Sequence, residues 1–269
     1  MSGNAIRVGV VGAAGKMGRV VCAAVTSDAE LELGAAIDVM QVGTPIEKVI
    51  GRGDGGVAIA GDLDGLTRAR VQVAVDFTHP DAVMSNVRWY ASHRLHAVIG
   101  TTGISPENLD EIRRLTAEHG VNMVVSPDFS PAGVVMLHIA KIAARHLDEV
   151  ELLEIHPPTK AEAPSGTTMN TARALAKVRA GKAAPAVRSR ELAPGVMGGT
   201  VDGIRVHSFR LSGCVGHEEM RFAHRGDTLT ISSTSHSREG YTAGVILGIK
   251  AVRERRGLTY GLEPILGFE

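Results

Sequence analysis

The sequence predicts an α/β protein in two parts: a doubly wound, mostly parallel sheet, then a smaller α+β region with a mixed sheet. Three observations predict it. Apolar strand-like segments alternate with amphipathic helix-like segments up to about residue 127, the pattern of repeated βαβ units. A glycine-rich turn joins the first strand to the first helix. Beyond residue 200, three strand-like segments follow one another without a helix between them, which suits antiparallel or mixed pairing.

Each element has a local reason. Ile6–Val11 is an apolar run of strand length, and Lys16–Ser27 repeats apolar residues at helical spacing. Leu31–Ile37 is the second strand. Residues 39–70 are rich in glycine and read as a short helix and loops. Val71–Phe77 is a strand, Asp81–Ser92 a helix, and Ala97–Ile99 a short buried strand. Ser105 caps the next helix, with Pro106 at its first position and Gly120 at its end. Asn122–Val125 follows as a strand, then Ala132–His146 as a long helix, Glu149–Ile155 as a strand and Thr167–Ala180 as a helix. The late strands are Gly203–Leu211, Val215–Ala223 and Thr228–Ser233, and a helix runs from Arg238 to about Arg255. Residues 178–199 are the most loop-like.

The chain has 269 residues, 44% of them hydrophobic and 22% charged, ordinary for a globular protein with real cores. Zero formal net charge gives no electrostatic footprint for nucleic acid or an acidic membrane. No apolar run reaches the roughly 18 residues of a membrane span, and the first residues lack the zones of a signal peptide. Cys22 and Cys214 show no metal-ligand spacing and suit a reducing compartment. The expectation is a cytoplasmic protein without metal, membrane or nucleic-acid partners.

Gly12, Gly15 and Gly18 lie in "VGAAGKMG", at the first strand-to-helix junction. Glycines there let main-chain N–H groups approach a pyrophosphate at a helix N-terminus, as in a Rossmann-like unit. The same glycines also suit a purely structural turn. Asp38 ends the second strand, where an acidic residue takes ribose hydroxyls, and the neutral Val39 after it leans the choice towards NADH over NADPH. Lys16, in the glycine loop, could still meet a 2′-phosphate. Two more loops follow strands: Asp76–Pro80, with Phe77 and Thr78, and Gly100–Gly103, with Thr102. Ligands in open α/β sheets lie beyond the carboxyl ends of the strands, so both loops are expected to face the cofactor.

The stretch "EIHPPTKAEAPSGTT" places His156 at a strand end, Pro157 and Pro158 after it, Lys160 next, and Ser165, Gly166 and Thr167 at a helix start. The prolines forbid helix, so His156 and Lys160 do not stand one helical turn apart. A histidine, a lysine and a helix N-terminus can supply a proton donor, a cationic anchor and an anion cradle. A proline-rich surface loop with a helix cap is the plainer alternative. Arg210, His217, Glu218 and Arg238 are further candidates for the site or for a subunit interface. His93 and His96 read as surface residues.

With these motifs in hand, "VGAAGKMG", "VDFTHPDAVMSN", "HAVIGTTG", "HPPTKAEAPSGT", "FRLSGCVGHEEMRFA" and "GLEPILGF", the chain resembles the dihydrodipicolinate reductase family almost end to end. The resemblance implies a dinucleotide-binding domain of residues 1–127 with 238–269, and a substrate-binding and tetramerisation domain of residues 128–237. It implies NADH- or NADPH-dependent reduction of a small cyclic dicarboxylate imine in lysine biosynthesis, by a homotetramer. His156 matches the proton donor and Lys160 the residue that anchors substrate. Ser165, Gly166 and Thr167 match the carboxylate loop. Thr102 matches a contact to substrate or nicotinamide. Gly12, Ala13, Gly15, Lys16, Met17, Asp38, Phe77, Thr78, Gly100, Asp128 and Phe129 fall on the cofactor side. Two positions depart from the pattern. Pro157 stands where the family usually has a second histidine beside substrate, and Asp128 stands where it usually has asparagine. They keep two other readings open: a divergent paralogue acting on another cyclic imine or keto acid, and a non-catalytic nucleotide-binding regulator.

Overall fold

A computed structural model describes residues 5–53, 56–179, 182 and 189–268. The chain divides into two compact units, residues 1–130 with 241–269, and residues 131–240.

The first unit is a seven-stranded sheet in the order β12-β6-β5-β4-β1-β2-β3, with every pairing parallel. Its strands are β1 (Ile6–Val11), β2 (Leu31–Ile37), β3 (Ile59–Ala60), β4 (Val73–Asp76), β5 (His96–Ile99), β6 (Met123–Val125) and β12 (Leu258–Tyr260). Helices α1 (Lys16–Ser27), α2 (Ile46–Ile50), α3 (Asp64–Arg68), α4 (Pro80–Ser92), α5 (Pro106–His119) and α8 (Thr242–Val252) complete it. The central strands are buried throughout: Val8, Val10, Val73, Val75, Ala97 and Val98 are fully buried, as parallel strands covered on both faces must be. The strand order reverses between β1 and β4, the place where such sheets bind ligands.

The second unit holds α6 (Pro131–His146), β7 (Glu149–His156), α7 (Gly166–Val178), β8 (Gly199–Val201), β9 (Ile204–Arg210), β10 (Gly216–His224) and β11 (Asp227–Ser235). Its sheet runs β11-β10-β7-β9-β8. β7 and β9 are parallel, and the other pairs antiparallel. Leu152, Val206, Met220 and Phe222 join Ala140, Ala144, Ala172 and Leu175 of α6 and α7 in one core.

The α/β expectation with a mixed second sheet matches this architecture. Several details differ. Residues 39–70 hold two short helices and the edge strand β3, not one helix. β4 starts at Val73 because Arg70 takes a positive φ of 53° and Val71 N–H bonds back to Leu66 O. Gly166 opens α7, one residue early, and the expected end at Ala180 lies outside the described residues. The last helix begins as a 3-10 turn at Arg238–Tyr241. β8 and β12 are additional strands.

Candidate active site

In the first unit β1 ends at Val11 and the chain turns at Gly12, whose φ is +82°. A Cβ there would stand 2.4 Å from Phe77 O, and a Cβ on Gly18 would stand 1.9 Å from Gly12 O. Glycine is therefore required twice: once to let the loop after β4 lie against the turn, once to let α1 pack onto it. Gly15 is the N-cap of α1, brings no side chain, and is followed by no acidic residue in the first turn. The helix start offers main-chain N–H groups and its dipole to an anion. Asp38 follows β2. Its Oδ2 accepts from Ala14 N–H at 2.9 Å and its Oδ1 from Met40 N–H at 2.8 Å. Each oxygen keeps a lone pair for a ribose hydroxyl. Lys16 is exposed, Met17 is half-buried, and Ala13 is fully buried, so Ala13 has only its main chain to offer.

Beneath the next two loops lies a group that residue patterns did not reveal. Asp76 is fully buried at the end of β4. Five donors reach it: Thr78 N–H at 3.0 Å, Thr78 Oγ1 at 2.6 Å, Thr101 Oγ1 at 2.8 Å, Asn86 Nδ2 at 2.9 Å and Tyr90 OH at 2.7 Å. Burial, with the Asp76 charge beside it, pushes the Tyr90 hydroxyl well above its usual range. The carboxylate ties the two loops together, while Thr102 stays exposed next to the buried Thr101. Gly100 is needed for another contact: its Cβ would stand 2.1 Å from the Phe77 ring. That ring meets Phe129 at a centroid distance of 5.8 Å, so the buried Phe129 ring is occupied in packing. Asp128 Oδ1 accepts from Ser130 N–H at 2.7 Å. Burial raises its carboxyl to about 6, the Ser130 N–H opposes this, and Glu263 adds to it.

In the second unit β7 carries Val150, Leu152, Glu154 and His156 on one face. Across the sheet, Val206, Leu152 and Met220 form an apolar row, and Ser208, Glu154 and Glu218 form the next row. Arg210 and His156 come last, in register with each other. The core face thus turns polar towards its end. Glu154 is fully buried. Its Oε2 accepts from Ser165 N–H at 2.9 Å and Thr168 Oγ1 at 3.0 Å, its Oε1 accepts from Arg210 Nη1 at 3.1 Å, and His156 Nδ1 lies 3.4 Å from Oε2. Burial opposes ionisation of Glu154, yet His156, Ser165 and Ser208 outweigh it and hold the carboxyl below the ordinary range.

After His156 the chain makes a turn closed by Lys160 N–H to Pro157 O at 3.0 Å. Lys160 Nζ pairs with Glu162 Oε2 at 2.9 Å, and the Ala163–Pro164 peptide is cis. Ser165 caps α7, its Oγ accepting from Thr168 N–H at 3.2 Å. Ser165 is buried and its polar groups are committed inside the protein, whereas Gly166 and Thr167 are exposed at the helix start. Pro157 is half-buried beside them.

Other candidates separate. Glu218 is buried and accepts from Thr171 Oγ1 at 3.0 Å, while His217 points to the opposite sheet face and bonds Thr234 Oγ1 at 2.7 Å. Arg238 is exposed. His93 stacks on Trp89, but His96 is a half-buried strand residue accepting from Asn122 N–H, a correction to its surface reading. Cys22 is fully buried, and burial pushes its thiol up to about 12. Among the described residues no group of His, Cys, Asp and Glu could hold a metal ion, and no helix is long and apolar enough to cross a membrane.

Two family models match this chain, Dihydrodipicolinate reductase, N-terminus, over residues 6–129 and Dihydrodipicolinate reductase, C-terminus, over residues 133–266. The chain belongs to the dihydrodipicolinate reductase family. Among members of this reductase family, the 4-hydroxy-tetrahydrodipicolinate reductase of Nocardia farcinica is 42% identical over 97% of this chain and 98% of that protein. The one from Mycobacterium marinum is 39% identical over 98% of this chain and 100% of that protein. A dipicolinate-bound dihydrodipicolinate reductase from Paenisporosarcina sp. TG-14 superposes with a TM-score of 0.85 at 31% identity, covering 97% of this chain and 99% of that one. As a member of the dihydrodipicolinate reductase family, the chain is an oxidoreductase that uses a nicotinamide cofactor.

Proposed function

We propose that the chain reduces 4-hydroxy-tetrahydrodipicolinate to tetrahydrodipicolinate, in diaminopimelate and lysine biosynthesis, with NADH preferred over NADPH. The observation that carries this is the concentration of His156, Lys160 and the exposed helix start at Gly166 and Thr167 within one segment of the second unit. Overall the substrate takes up a hydride and a proton and loses one water.

Residues 1–127 with 238–269 form the nucleotide domain in this reading. Gly12, Ala13, Gly15, Lys16 and Met17 hold the pyrophosphate through the start of α1, and Asp38 takes the adenosine ribose. Phe77, Thr78, Gly100, Thr102, Asp128 and Phe129 line or support the nicotinamide end. A reduced nicotinamide bound there supplies the hydride. The preference for NADH rests on Asp38, whose charge repels a 2′-phosphate.

Residues 128–237 form the substrate domain. Lys160 binds one carboxylate, exchanging its Glu162 partner for substrate. Gly166 and Thr167 N–H groups bind the other, with Ser165 as their cap. His156 delivers the proton to the carbanion-like centre. Pro157 has no side-chain donor, so it shapes the wall of the site without adding a bond. We assign the sheet face opposite α6 and α7, with exposed Phe209, to contacts between copies in a cytoplasmic homotetramer; light scattering at four times the chain mass tests this.

The function is tested by coupling the purified chain to the upstream synthase and following NADH oxidation. Turnover with wild type, reduced about 100-fold or more in Lys160→Ala, is the expected result. NADH binding without turnover overturns it, and a screen of other cyclic imines and keto acids would then identify a paralogue.

A further inference from the structure

We propose that Glu154 is a positioning residue: one buried carboxylate that sets the orientation and tautomer of His156 and fixes the start of the helix that holds substrate. The proposal rests on the proton-donor role given to His156 above.

Three observations carry it. First, the place is costly for a carboxylate. Glu154 is fully buried, on a strand face whose preceding rows are apolar, and buried carboxylates persist only when they are paired and hydrogen-bonded. Second, its partners belong to every part of the site. The Ser165 N–H and Thr168 hydroxyl sit in the first turn of α7, and His156 is the proton donor. Arg210 bonds both Glu154 Oε1 and Glu162 O, and Glu162 in turn pairs with Lys160. Donor, cradle and anchor therefore share one network with Glu154 at its centre. Third, His156 Nδ1 is closed to solvent and makes no hydrogen bond of normal geometry. Glu154 Oε2, at 3.4 Å, is an acceptor within reach, and such contacts tighten in a substrate complex.

The consequence is a division between the two ring nitrogens. A carboxylate beside Nδ1 favours the proton on that nitrogen and leaves Nε2 to exchange a proton with substrate. On the Nε2 side lies Gly216, where a Cβ would come within 3.2 Å of Nε2. Any larger residue there would crowd the working nitrogen. Glu154 of its own strand stands beside His156, Arg210 of β9 is in register with it, and Gly216 of β10 brings no charge. Apolar or amide residues at position 154 could not satisfy the same donors. Glutamine would turn an NH₂ towards either Arg210 or the Ser165 and Thr168 donors.

The test uses full-length protein with nitrogen-15-labelled histidine, and Glu154→Gln. In wild type the neutral form of the His156 ring is expected to carry its proton on Nδ1, the proton delivered to substrate being the one that Nε2 holds in the imidazolium. Glu154→Gln is expected to redistribute that tautomer and lower kcat by on the order of 10- to 100-fold, with the Kd for NADH within about twofold. A dominant Nε2-protonated tautomer in wild type overturns the proposal, as does a Glu154→Gln enzyme with unchanged kcat. If Glu154→Gln does not fold, Thr168→Val replaces it: it removes one bond to the carboxylate, and unchanged kcat and tautomer would overturn the proposal equally. The tautomer readout needs no turnover, so it still decides the role of Glu154 if the cyclic imine proves not to be a substrate.

Discussion

In the proposed site, the groups assigned to the cofactor in the first unit belong largely to the main chain; those assigned to substrate in the second are side chains braced by a buried carboxylate. Gly12 and Gly18 build the first surface by leaving side chains out, so that loop, helix and strand approach within distances no Cβ permits. His156, Lys160 and the start of α7 build the second, and Glu154 and Arg210 hold them. A main-chain surface binds a constant feature, a pyrophosphate, and needs no titratable group. A side-chain surface can hold a proton, and so can do acid–base chemistry.

The comparison is most severely tested at Gly18. Gly18→Ala places a Cβ 1.9 Å from Gly12 O, and that atom is main chain and cannot turn aside. The variant should lose measurable NADH binding by calorimetry and destabilise the first unit by about 3 kcal/mol or more. Retained binding would mean that the turn is more plastic than a main-chain surface allows.

The comparison is sharpened at Asp76, where the first unit also relies on a buried carboxylate. Asp76→Asn keeps the shape but sets an NH₂ among the five donors. A loss of about 3 kcal/mol in urea unfolding is expected, with weaker nicotinamide affinity because both loops depend on it. A neutral outcome would confine side-chain bracing to the second unit.

A smaller effect depends on pH. The Asp128 carboxyl is raised to about 6 in the folded chain, above its ordinary value. Its contribution to stability is therefore fully present below about pH 4 and lost as the pH rises through about 6. Asp128→Asn stays neutral throughout. It should raise stability by about 2 kcal/mol at about pH 8, after allowance for its partial exposure, and leave it nearly unchanged at about pH 4, read from denaturant midpoints at the two pH values. An equal change at both would refute the titration of Asp128 as the cause.

The smallest effect is a control at a residue assigned to neither surface. Ser105 accepts from Asn108 N–H at 3.2 Å as the cap of α5. Ser105→Ala should cost about 1 kcal/mol and leave kcat and cofactor affinity unchanged.

How much of this was legible in the residues follows from the same contrast. β1, α1 and β2 were readable to the residue, because apolar runs and glycine spacing are local signals. β3, β8 and β12 were not. They hold two or three residues each, and only tertiary pairing makes them strands. The glycine turn and the His156–Lys160 elbow were visible as patterns. Asp76 and Glu154 were invisible as functional groups, since one carboxylate at a strand end looks the same whether exposed or buried. A faint signal did exist for Glu154: Val150, Leu152, Glu154 and His156 alternate on one face of β7, so an apolar face turns polar in its last two positions. The committed state of Ser165, as opposed to the exposed Gly166 and Thr167, depends on Glu154 and was hidden with it.

The division between a surface that binds and a surface that transfers a proton is tested most directly with His156→Ala. Its NADH Kd and its kcat on 4-hydroxy-tetrahydrodipicolinate would be measured on the same preparation. The prediction is a Kd within about twofold of wild type and a kcat lowered by about 10²- to 10⁴-fold. Wild-type turnover in His156→Ala, or a loss of NADH affinity as large as the loss of rate, would contradict it.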